Sequence, residues 1–146
     1  MKKSILLAGV VLAVCAFTWT PNAESQAEIE AVRTAVNHYL LGSKANDRDR
    51  VTQAFDPQAS MKFVRDGEQV IVPIPDYLAN INPGPERDMS PSVVSIDVEG
   101  NAATAKLISQ YPDFYFVDYM QLLKIDGEWK IVSKIFYKVN AGRENP

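Results

Sequence analysis

The sequence predicts an α+β domain with N-terminal helices on one face of an antiparallel sheet; a strongly bent antiparallel sheet wrapped around those helices would form a cone with a pocket. Three observations lead there. Between Glu28 and Leu41, apolar residues recur every three or four positions, the spacing of one helical face. From Ser92 onward the apolar period is two, the spacing of strands. Helices thus precede strands, an order that belongs to α+β rather than doubly wound domains. A sheet that buries the helical stripes on one face and bends around them leaves an open mouth, where small ligands bind.

The chain has 146 residues, which sets a prior of one domain. Its first segment reads as an export signal. Met1-Lys2-Lys3 is basic, residues 4–19 carry no charge, and TPNAESQA is polar with small residues. The apolar run falls short of the roughly 20 residues that span a bilayer. The expected cut follows Ala27, with Ser25 and Ala27 at the small-residue positions. A lipoprotein cut before Cys15 is the weaker alternative, because Val14 is bulky and Cys15 lies inside the apolar run. Residues 1–27 are then a signal peptide, residues 28–139 the domain and residues 140–146 a tail. A periplasmic or secreted protein is expected, free of the membrane after cleavage. Cys15 is the single cysteine, so the domain relies on no disulfide.

The elements follow in order. Ile29, Val32, Val36, Tyr39 and Leu40 mark the first helix, with Gly42 as its expected stop. Asn46 or Asp47 caps a second helix through about Phe55, and Asp56-Pro57 ends it. Residues 59–72 alternate on both sides of Asp66-Gly67, a strong hairpin signal, with Phe63 opposite Val70 and Met61 opposite Val72. Residues 76–81 suit a short helix, and residues 82–91 a loop. Residues 92–98 and 102–110 pair across Gly100-Asn101, with Val94, Ile96 and Val98 sharing a face with Ala103, Ala105 and Leu107. Residues 113–125 and 128–139 pair across Asp126-Gly127.

In that last hairpin, a regular register sets Leu122 against Ile131, Met120 against Ser133, Asp118 against Ile135 and Phe116 against Tyr137. The face holding them, which also carries Trp129 as an expected core residue, is far more apolar than the opposite one with Gln121, Lys130 and Lys134. It also contains Asp118. A carboxylate among Phe116, Met120 and Ile135 is desolvated, and a carboxyl group in a pocket can exchange a proton near neutral pH. Asp118 is therefore the candidate catalytic residue, with Tyr137 as its hydroxyl partner and Tyr111 or Tyr39 as substitutes. The expected pocket lining is Tyr39, Phe63, Tyr77, Tyr111, Phe116, Met120, Trp129, Ser133 and Ile135. A hydrogen-bonded Asp118 at the sheet's edge is the plainer alternative. His38 falls nearly opposite the helical stripe, which suits a surface or dimer-contact residue.

Four phrases carry a family resemblance: HYLLGSKANDRDRVTQAFDPQA, MKFVRDGEQVIVPIPDYL, VVSIDVEGNAATAKL and YMQLLKIDGEWKIVSKIFY. Over residues 28–139 the chain resembles the nuclear transport factor 2-like superfamily, also called SnoaL-like, and within it the bacterial "putative lumazine-binding" set. The resemblance implies the bent-sheet cone and dimers through the outer sheet face. It does not decide an activity, because the superfamily hosts dehydratases, isomerases, cyclases, hydrolases and non-catalytic modules. Ketosteroid isomerase, a member, pairs such carboxylates with a tyrosine, but its catalytic pattern does not map here residue by residue.

Other chemistry is excluded by composition. One histidine and no cysteine in the mature chain cannot build a zinc site of the usual type. An acidic chain, net charge −3, has no basic footprint for nucleic acid. GxSxG, P-loop, GxGxxG and HExxH patterns are absent, and no cofactor is expected. Tyr115 and Tyr119 alternate to the outer face, where exposed aromatics suit a homodimer contact. The expected function is binding of a small apolar or aromatic ligand. The alternatives are a cofactor-free lyase, isomerase or hydrolase, and a dimeric interaction module.

Overall fold

The computed structural model describes residues 23–141. Residues 1–22 of the expected leader and residues 142–146 of the tail lie outside the described residues. The order is α1 (Ala23–Ala45), α2 (Arg48–Ala54), β1 (Phe55–Arg65), β2 (Glu68–Pro73), α3 (Ile74–Ala79), β3 (Ser90–Glu99), β4 (Ala102–Gln110), β5 (Phe114–Ile125) and β6 (Glu128–Asn140). The strands form one bent, unclosed sheet in the order β2-β1-β6-β5-β4-β3. All hairpin and meander pairs are antiparallel. The β1–β6 junction is parallel, a pairing between distant segments that local periodicity does not announce.

Turn chemistry acts where expected. Asp66-Gly67 and Asp126-Gly127 take positive φ at both positions (52° and 84°, 50° and 85°), the geometry that two-residue hairpins favour. Helix α1 runs past its expected stop. Gly42 lies inside it, buried against α2, and a Cβ there would meet Val51 Cγ2 at 2.8 Å and Val51 N at 2.9 Å. Its role is close helix approach rather than termination. Asn46 ends the helix instead, at φ 55°, and Asp47 N donates back to Gly42 O at 2.9 Å. Asp47 then caps α2 by accepting from Arg50 N at 3.0 Å. Gly42→Ala should therefore destabilise the fold by about 1–3 kcal/mol of overpacking, against alanine's helix-propensity gain of about 1 kcal/mol. Urea denaturation checks this, and an unchanged or raised midpoint refutes it.

The helical stripe lands on the concave sheet face. Val32, Val36, Leu40 and Val51 are buried with Leu107, Met120, Leu122, Trp129 and Ile131. Two bulges adjust which residues face this core. The β3–β4 register shifts between Val93 and Ser95, so Val93 turns inward in place of the expected Val94, which is 50% exposed. The β5–β6 register shifts between Gln121 and Leu122, with Val132 as the extra residue. Leu122 still meets Ile131, but Met120 now meets Lys134, Asp118 meets Phe136 and Phe116 meets Lys138.

Candidate functional site

The second bulge builds the site. Beyond Val132, the inner set on β6 becomes Lys134 and Phe136, while Ile135 (53% exposed) and Tyr137 (65% exposed) turn outward. The expected Asp118–Tyr137 partnership is therefore not formed, because an odd residue in one strand reverses side-chain parity. Ser133, paired with Gln121, goes to the outer face with them and lines a groove there with Tyr119 and Ile135.

Asp118 is fully buried, and two groups meet it. The Tyr39 hydroxyl, from α1, donates to Asp118 Oδ2 at 3.2 Å. Lys134 Nζ lies 3.0 Å from Asp118 Oδ1 and donates to the Tyr39 oxygen at 2.6 Å. The three side chains thus close a triangle. The Lys134–Asp118 contact is an ion pair without hydrogen-bond alignment, which leaves Oδ1 with no filled acceptor position. The Lys134 ammonium also sits 4.7 Å from the Phe136 ring centroid and 4.8 Å from that of Tyr39, cation–π distances. Burial first, then the Asp118 charge, holds the Tyr39 phenol well above its ordinary pKa, so it stays a protonated donor.

Above this cluster lies a cavity of about 150 Å³. Tyr39 and Lys134 form its floor, Tyr111, Phe116 and Phe136 an aromatic wall, Ser43, Tyr77 and Arg87 its polar side, and Met61, Met89 and Ser109 the remainder. Phe116 packs edge-on against Phe136 (5.6 Å) and Tyr111 (6.1 Å). Tyr77 from α3 approaches Ser43 of α1 at 3.5 Å. Asp118 lies behind this surface, touching Lys134 and Tyr39, so of the three it is the amine and the phenol that line the cavity.

Of the expected lining, Tyr39, Tyr77, Tyr111 and Phe116 come together here. Phe63 stacks on Phe136 at 4.6 Å and belongs to an adjoining cleft that shares Phe116 and Phe136. Met120 is core beneath the site. Trp129 is buried in the core away from this cavity, its indole N–H donating to Glu28 at 2.8 Å. His38 stands in a separate groove beside Trp129 and Glu128. Lys134, Phe136 and Arg87 are the site residues that periodicity missed. No group of three His, Cys, Asp or Glu among the described residues is placed to hold a metal ion.

Helices seated in the concavity of a bent six-stranded sheet, with an aromatic pocket at the open end, define a nuclear transport factor 2-like protein. Solved structures agree. An NTF2-like protein of unknown function from Shewanella baltica OS155 is 29% identical, covering 77% of this chain and 94% of that one, with TM-score 0.70. Another from Silicibacter pomeroyi DSS-3, 23% identical over 78% of this chain and 98% of that one, also scores 0.70. The chain belongs to the family described as "Putative lumazine-binding", whose model matches residues 27–137. Among curated proteins it is similar to "Aldolase FrzH" of Cladobotryum sp, 24% identical over 77% of this chain and 93% of that protein.

Proposed function

We propose that this domain binds a small aromatic or apolar ligand in the cavity above Lys134. The carrying observation is an aromatic-walled cavity with a buried Tyr39–Asp118–Lys134 triangle at its floor. Apolar walls with a few convergent polar groups are the usual makeup of a small-molecule site. At about 150 Å³, the cavity lies below the roughly 300 Å³ typical of drug-sized ligands, and so suits a single-ring compound.

Export and a homodimer are part of the same proposal. Export rests on the leader sequence. The dimer rests on the outer sheet face, where Tyr119, Ile135 and Tyr137 are exposed across two strands, and where Asp97, exposed on β3, and Lys106 on β4, its ammonium 5.5 Å from the Tyr119 ring centroid, supply both signs of charge to a second copy. Native mass spectrometry of protein from the periplasmic or secreted fraction tests all three parts. It should show a dimer of chains beginning at Glu28 with a retained small molecule. A ligand-free chain that also takes up no small aromatic compound on titration sinks the binding reading.

The triangle favours a second reading, a cofactor-free lyase or isomerase, in keeping with the aldolase named among its relatives. Lys134 and Tyr39 would stabilise the carbonyl oxygen as it takes on enolate charge, solvent hydroxide entering the cavity would accept the α-proton, and Asp118 would position the two donors. In deuterium oxide, the protein should then accelerate α-proton exchange of phenylacetone, and Tyr39→Phe should slow it about 10²-fold or more. Exchange at the buffer rate counts against catalysis and leaves binding intact.

A further inference from the structure

The polar side of the cavity contains a cation that the fold holds in place and that no carboxylate among the described residues neutralises. Arg87 lies in the loop between α3 and β3, and four hydrogen bonds fix its place. Its backbone N–H donates to Lys44 O at 2.8 Å, its carbonyl accepts from Met89 N at 2.8 Å, and its Nε donates to Asn46 Oδ1 at 2.8 Å. Asn46, itself fixed at φ 55°, donates through Nδ2 to Pro85 O at 2.6 Å. The guanidinium is thus anchored at one nitrogen. Among the described residues, its two terminal nitrogens have no acceptor, and no carboxylate lies within ion-pair distance. Arg87 is half-buried and lines the cavity.

A half-desolvated guanidinium with free terminal N–H groups favours an anion, and its planar fork matches a carboxylate. The other cation in the cavity, Lys134, is already paired with Asp118. The aromatic wall accepts a flat body. Resting on the binding function proposed above, we propose that Arg87 clamps the carboxylate of a small planar acid. The ring of that acid lies along Phe116 and Phe136, and its far end reaches Lys134 and Tyr39. Asn46 is the positioning residue that aims the fork.

The test titrates purified protein with 4-hydroxybenzoate, cinnamate and the neutral isostere 4-hydroxybenzamide, followed by NMR chemical-shift changes. At least one acid should bind about tenfold or more tightly than the amide. Arg87→Gln should remove that preference, bringing the acid and amide affinities to within about twofold of each other. Arg87→Lys should restore part of it, and Asn46→Gly, which keeps the positive φ while freeing the guanidinium, should narrow the acid-over-amide ratio. Equal binding of acids and amide, or an acid preference that survives Arg87→Gln, overturns the clamp while the pocket stands. Failure of all three compounds to bind overturns the pocket reading and the clamp together.

Discussion

Replacing Lys134 with methionine should destabilise the protein by about 3–5 kcal/mol, because it leaves Asp118 buried with its charge unmatched. Asp118 has no exposure and Lys134 only 5%, so solvent cannot replace the lost partner. The expected urea midpoint falls accordingly. The double variant Asp118→Leu with Lys134→Met should recover most of the loss, since well-packed apolar residues substitute for buried ion pairs at little cost. A Lys134→Met loss below about 1 kcal/mol would show that the pair is not desolvated. Tyr39→Phe should act through the same triangle but less strongly, by about 1–3 kcal/mol, because it removes a neutral bridge between two charges that still face each other.

Trp129→Ala should cost about 3–5 kcal/mol, a large aromatic lost from the core. Trp129→Phe separates packing from its hydrogen bond to Glu28. Glu28 accepts from Lys124 Nζ at 2.6 Å and from the indole at 2.8 Å, tying the start of α1 to the last hairpin. Lys124 first, then Trp129, lowers the Glu28 pKa. A lowered folded-state pKa contributes stability above the ordinary glutamate value of about 4.3, lost as pH falls through the folded value. Wild-type stability should therefore fall more steeply across that acid window than that of Glu28→Gln, as thermal melts at successive pH values will show. Parallel pH profiles would remove Glu28 from the account.

Much of the fold was legible from local pattern. The Asp-Gly turns, the β1–β2 register and the helical stripe all depend on neighbours within a few residues, where periodicity and turn chemistry act. What depends on distant partners was not. Gly42 looked like a terminator until α2 lay against it. Val94 beside Val93 and Val132 beside Ile131 are each one of two β-branched apolar residues in a row, and nothing in their chemistry marks a bulge. One sign was available for Val132. Asp118 on an apolar face requires a cation, yet Lys130, Lys134 and Lys138 all fall on the opposite parity in a regular register. A single extra residue in β6 resolves the conflict, and buried-charge accounting would have found it. Arg87 lies in a loop without period, where its value comes only from the contacts that hold it.

The extra residue at Val132 also makes the site modular. Trp129 and Ile131 precede it and keep their core places whatever follows. A one-codon insertion beside Val132 would exchange the entire downstream set, bringing Ser133, Ile135 and Tyr137 inside and expelling Lys134 and Phe136. Length variation at one point in a strand can thus convert a charged cavity lining into a neutral one without altering the scaffold that supports either. Related chains that differ there in residue count should differ in the chemistry of this cavity more than their overall similarity suggests.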